Sequence, residues 1–250
     1  MNKFDAHFHV IDSRFPLYEN EGYLPPIFNT QMYQEAVKPF HIQGGALVSG
    51  SFQKFDQAYL LHALNTLGPN YVGVVNLQHH ASDEMIMSLY QQRIRGVRFN
   101  LVRGGSEGVI HLAELAQRIY DLCGMHVELC VKGPQIAAYF DLFMKLPKFS
   151  IDHLGLSHSA SEFKLLLKLV DQGARVKASG FMRLPFDVND ALHAIHAINP
   201  HALMFGTDLP GTRASRLFNG RDVDMIERNF STLDHDNIFS LNAKSFYKLA

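Results

Sequence analysis

KFDAHFHV, residues 3–10, is an apolar run that carries three ionisable side chains, Asp5, His7 and His9. Its composition predicts a β-strand, and side chains alternate along a strand, so Asp5, His7 and His9 are expected to share one face. Seven further runs have the same β-rich character: GGALVSG (44–50), YVGVVNL (71–77), RGVRFNL (95–101), MHVELCV (125–131), FSIDHLG (149–155), ARVKASG (174–180) and ALMFGTD (202–208). They recur roughly 22–42 residues apart, the length that a strand, a loop and a helix of about three turns require. Eight such units, with no composition break between them, predict a single (β/α)8 TIM barrel of the α/β class, one domain over residues 1–250. A doubly wound open sheet is the alternative. It calls for a glycine-rich phosphate turn after the first strand, and none follows Val10.

The segments between the runs read as amphipathic helices. In 106–124 the positions Ile110, Ala113, Ala116, Ile119 and Cys123 recur at helical spacing, and Gly124 stands at a C-cap position. Segment 161–173 opens with Ser161-Glu162 and closes at Gly173. Segment 12–30 is different: it is rich in Pro, Asn and Gly, and a loop of this length is expected to fold over one end of the barrel.

Composition narrows the function. Hydrophobic residues make up 47% and charged residues 19% of the 250, enough for a large core, and the formal net charge is −1. No basic block suggests a nucleic-acid surface, and no apolar run is long enough to span a membrane. The start shows no basic segment followed by an apolar one, so a cytoplasmic enzyme is expected. Cys123 and Cys130 form no CxxC pair and read as small core residues.

In a barrel of this kind the carboxyl ends of the strands face the active site. That rule selects His7 and His9 on the first strand, His153 after the sixth and Asp208 after the eighth. Two imidazoles at i and i+2 could bind a metal or polarise a carbonyl. Asp208 at the end of an apolar strand needs a partner: the histidines, a metal, or substrate and water. Taken singly, His153 could be a histidine bonded under a loop and Asp208 a helix cap. Three such places at the mouths of strands 1, 6 and 8 are less readily coincidental. His79 and His80 follow the third strand and could line the mouth or lie in a loop; the remaining histidines fall on helices and loops.

The set DAHFH, IDHLG and FGTDLP, with GVRFN on the fourth strand and a closing SLNAKSFYKL, resembles the amidohydrolase superfamily, and within it the amidohydrolase-related lactonases that open 2-pyrone-4,6-dicarboxylate. The likeness runs over nearly the whole chain. It implies lactone hydrolysis, with Asp208 as general base for water and His7, His9 and His153 polarising the carbonyl. It also implies that Arg98, Arg103 and Arg183 grip carboxylates of a small anionic substrate, and that no cofactor is required. The related alternative is a mononuclear metal-dependent amidohydrolase or decarboxylase. One divalent ion such as zinc would then sit on His7, His9 and Asp208, with Glu128 in place of a fifth-strand histidine or paired with Lys177. Metal-dependent DNases and phosphoesterases fit less well, because Arg98 and Asn100 stand where they carry a glutamate. A binding barrel without catalysis is disfavoured by the intact set of His7, His9, His153 and Asp208. Departures from the likeness are the absence of a fourth-strand lysine, Leu209 and Gly211 after the aspartate, and a shorter chain. Lys177 is expected to be structural or near substrate, Arg213 to reach an anion, and Asp5 to orient the histidines. The assembly is expected to be a monomer or homodimer.

Overall fold

The computed structural model describes residues 2–184 and 187–249. Eight parallel strands run in sequence order: β1 Lys3–Phe8, β2 Ile42–Val48, β3 Tyr71–Val75, β4 Ile94–Asn100, β5 His126–Cys130, β6 Phe149–Ile151, β7 Arg175–Ala178 and β8 Leu203–Phe205. All eight lie within, or within two residues of, the runs read from sequence. Just beyond the strands the backbone of β8 rejoins that of β1. The Asp208 N–H donates to His7 O at 2.8 Å and the His9 N–H to Leu209 O at 2.7 Å. These two bonds make the sheet a (β/α)8 barrel instead of an open layer.

Helices cover the outside: α1 Thr30–Val37, α2 Ala58–Leu67, α3 Asp83–Gln91, α4 Leu112–Cys123, α5 Gly133–Ala138, α6 Phe140–Phe143, α7 Ala160–Asp171, α8 Val188–Ile198 and α9 Gly220–Asn229, then α10 Thr232–Asp236 and α11 Asn242–Phe246. Two of them depart from the sequence reading. A tight turn occupies Val109–His111, so α4 begins at Leu112 and turns Leu112, Leu115, Ala116 and Ile119 inward. Ile110 is left 83% exposed. The larger leucines win the inward face over Ala113. In α7 the cap is Ser159, two residues earlier than expected. Its hydroxyl accepts from the Glu162 N–H, while the Glu162 carboxylate accepts from the Ser159 N–H.

The apolar interior has two parts. A shell between strands and helices contains Phe8 stacked on Tyr33, with ring centroids 3.8 Å apart. Inside the barrel, Phe4, Ala6, Val72, Val74 and Met204 pack against Phe246 and Tyr247, so the C-terminal segment closes the floor. Segment 12–30 folds over the opposite end. Its Tyr18 N–H donates to Phe52 O, and the Asn20 side chain donates to Arg103 O, both on loops at the mouth.

Candidate active site

A bulge in β1 decides which of its side chains reach the site. Asp5 pairs with Gly45 and Phe8 with Leu47, three steps on β1 against two on β2. The extra residue turns both Ala6 and His7 toward the interior and leaves Asp5 outside. Asp5 therefore does not touch an imidazole, contrary to the simple alternation. Its carboxyl accepts from Thr207 N and Oγ1 (2.8 and 2.6 Å), Tyr33 Oη (3.1 Å) and the His7 N–H (3.1 Å). It fixes the backbone from which His7 and Asp208 project, and burial pushes it up to about 6.

His153 lies two residues past β6 and Asp208 three past β8, with φ of 52° and 58°. A left-handed conformation at a non-glycine residue costs about 1–2 kcal/mol. Here it aims both side chains across the mouth, which is where such strain tends to be found. The Nε2 atoms of His7, His9 and His153 stand 3.9, 4.0 and 3.8 Å from Asp208 Oδ1. Asp208 Oδ2 accepts from Arg183, whose Nε is 2.8 Å and Nη2 2.7 Å away. Three imidazoles and one carboxylate thus surround a gap wide enough for one reacting atom or a water.

The far ring nitrogens are held separately. His9 Nδ1 lies 2.6 Å from Val48 O. A carbonyl only accepts, so His9 carries its proton on Nδ1 and turns a lone pair toward Asp208. His153 Nδ1 lies 3.0 Å from Ser179 Oγ, a hydroxyl able to serve either way. His7 Nδ1 lies 3.0 Å from Lys177 Nζ and 3.3 Å from Asp152 Oδ1, while its Nε2 has no hydrogen-bond partner.

Gly180, at φ 62°, makes room for His153; a Cβ there would sit 2.7 Å from the ring Nδ1. Gly180→Ala is accordingly expected to displace the imidazole. Turnover should fall by about 10²-fold, since a shift near 1 Å has that cost. Steady-state kinetics beside an unfolding curve checks this, because kcat should fall well before the fold does.

Under the histidines lies a buried charged layer. Arg98 donates to Ser49 O at 2.5 Å and to Asp152 Oδ2 at 3.1 Å. Lys177 pairs with Glu128 and lies 3.4 Å from Asp152 Oδ1. Of the two roles open to Glu128, metal ligand or partner of Lys177, it takes the second, and its carboxylate also accepts from Tyr247 Oη at 2.6 Å and meets His126 Nε2 at 3.1 Å. It sits too deep to serve the mouth. Asp152 is the residue that sequence reasoning missed. It stood in view beside His153 in IDHLG, but only the fold brings it to Arg98, Lys177 and His7.

Burial drives the titrations. It pushes His9 and His126 down to about 4 and His7 well below the usual 6.5. The unfolded chain therefore protonates these imidazoles near 6.5, before the folded chain does, and stability falls as pH drops from 6.5 toward 4. Asp5 acts oppositely, since its folded carboxyl takes a proton near 6, before the unfolded one. Three depressed imidazoles stand against one raised carboxyl, so the histidines outweigh it. The unfolding midpoint at pH 4.5 is expected to lie below that at pH 7, and an equal or higher midpoint contradicts these assignments.

Above the histidines is a cavity of about 270 Å³. Its lining holds five basic side chains, Arg98, Arg103, Lys132, Arg183 and Arg213, against one carboxylate, Asp208. Arg103 and Arg213 stand at the rim and share Glu21 of segment 12–30; Arg213 also lies 4.7 Å from the centre of the Tyr23 ring. His79 lies elsewhere, bonded to Glu107 at 3.0 Å and stacked on His111.

The family model for amidohydrolases matches residues 4–249. The 2-pyrone-4,6-dicarboxylate hydrolase of Comamonas testosteroni is 26% identical over 232 aligned residues, covering 82% of this chain and 76% of that protein. A solved Acinetobacter baumannii structure, a probable 2-pyrone-4,6-dicarboxylic acid hydrolase with citric acid bound, aligns over 100% of both chains with a TM-score of 0.85 and 21% identity. A candidate enzyme of the same name from Pseudomonas putida gives a TM-score of 0.83 at 25% identity, covering 99% of this chain and 97% of its own.

Proposed function

The chain belongs to the amidohydrolase family, and from that premise we propose that it opens a small lactone bearing carboxylates, of the 2-pyrone-4,6-dicarboxylate kind. The observation that carries this reading is the convergence of three imidazole Nε2 atoms to within 3.8–4.0 Å of one oxygen of Asp208, beneath a cavity lined by arginines.

In the proposed reaction, water sits between Asp208 and the lone pair of His9. Asp208 takes its proton as the water oxygen attacks the lactone carbonyl carbon. His7 and His153 donate to the carbonyl oxygen as it gains negative charge. The ring C–O bond then breaks, and the proton held by Asp208 goes to the departing oxygen. Arg98, Arg103 and Arg183 are assigned to the substrate carboxylates, whose geometry suits a guanidinium fork. Arg213 and Lys132 add to the same field. Arg98 and Arg183 already hold Asp152 and Asp208, so an arriving carboxylate shares them.

The donor set does not suit a metal ion. His7, His9 and Asp208 do place ligand atoms within 4.8 Å of one another. Against this, Arg183 holds one oxygen of Asp208, Glu128 is taken by Lys177, and the nearby cations Arg98, Arg183 and Lys177 disfavour a further positive charge. The proposed hydrolysis therefore uses no metal.

The role of the arginines is tested by comparing 2-pyrone-4,6-dicarboxylate with its uncharged dimethyl ester. Loss of charge-assisted hydrogen bonds should raise KM by roughly 10–100-fold. Equal KM values would remove the carboxylates from the reading.

A further inference from the structure

We propose that Lys177 is a positioning residue that holds His7 with its proton on Nε2, so that His7 meets the mouth as a hydrogen-bond donor with no lone pair for a metal. The side chain of Lys177 is fully buried inside the barrel. Its ammonium has three hydrogens and no lone pair. Two acceptors are within its hydrogen-bond reach, Glu128 Oε2 and His7 Nδ1 at 3.0 Å, and Asp152 Oδ1 stands 3.4 Å away as an ion-pair partner. A proton on His7 Nδ1 would point at those ammonium hydrogens. The rival partner for such a proton is Asp152 Oδ1, but it is farther, at 3.3 Å, and makes no hydrogen bond of good geometry.

The arrangement is braced from below. Glu128 is held by Tyr247 of the closing C-terminal segment and by His126. Gly96 is what lets His126 fit, since a Cβ there would lie 2.7 Å from its Nε2. The buried layer is balanced, with Asp152 and Glu128 against Arg98 and Lys177. The outcome is an asymmetric pair on one strand. His9, tied to a carbonyl, turns a lone pair to the mouth; His7, tied to an ammonium, turns an N–H to it.

The test reads the tautomer directly, by NMR of protein carrying 15N-labelled histidine, with His7 assigned through His7→Gln. The native protein should show the His7 proton on Nε2. Lys177→Met combined with Glu128→Gln keeps the buried charge balanced, so it tests the role without stranding a carboxylate. There the proton should move to Nδ1, facing Asp152, and zinc affinity measured by titration calorimetry should rise at least about ten-fold. Lys177→Gln, which keeps an N–H donor, should retain the native tautomer. The kinetic arm rests on the lactone reading: kcat should fall by about 10²-fold in the double variant, with KM little changed, as for loss of one oxyanion donor. A native proton on Nδ1, or an unchanged tautomer and zinc affinity in the double variant, overturns the proposal. Expected tautomers without turnover on any lactone would overturn the lactone reading and leave the role of Lys177 standing.

Discussion

Asp208→Asn should abolish most turnover while leaving substrate binding nearly intact. The carboxylate oxygen facing the three imidazoles is placed to take a proton from water. An amide of the same shape still accepts from Arg183 through its oxygen, so the loop after β8 and the cavity should survive. Loss of a general base lowers kcat by about 10²–10⁴-fold. KM should change little, because the proposed reading assigns the carboxylates of the substrate to the arginines. Single-turnover kinetics and ligand titration on the same sample separate the two effects. An unchanged kcat would remove Asp208 from the chemistry. A large rise in KM with kcat preserved would make it a binding residue instead.

Asp152→Asn should have the largest effect on stability. Asp152 is fully buried and faces Arg98, Lys177 and His7. Removing its charge leaves two buried cations against Glu128 alone. Breaking a buried pair in this way costs about 3–5 kcal/mol. For a chain of this size that corresponds to a fall in Tm of roughly 6–20 °C. Adding Lys177→Met to the same variant restores the charge balance and should recover part of the loss. A Tm within a degree or two of the native value would mean that the layer is solvated or uncharged.

Much of this molecule could be read from its residues. Parallel barrel strands are buried on both faces, so they appear as separate apolar runs, and all eight were visible as such. The rule that function gathers at the strands' carboxyl ends then picked out His7, His9, His153 and Asp208, which the fold brings together. What escaped reading depends on backbone detail or on distant pairing. The bulge in β1 moves Asp5 to the outer face, and no local signal announces one extra residue in a strand. Glu128 and Lys177 sit on strands two apart in the barrel; the sequence left Glu128 open between metal ligand and partner of Lys177, and only the register decides for the pair. Asp152 looked like a neighbour of His153 until Arg98 arrived from β4. Arg103 and Arg213 were expected to face an anion. They do reach the cavity rim, but Glu21, 82 residues before Arg103, holds them there. The turn at Val109–His111 shifted the inward face of α4 because helix periodicity gives a face only once the first residue is known.

The most direct measurement is the hydrolysis of 2-pyrone-4,6-dicarboxylate by the purified protein, followed by loss of pyrone absorbance before and after prolonged chelation. The account predicts turnover that survives the chelator and does not rise when zinc is returned. Turnover that vanishes with the chelator and returns with zinc would contradict it, and so would a protein that leaves the pyrone intact in both conditions.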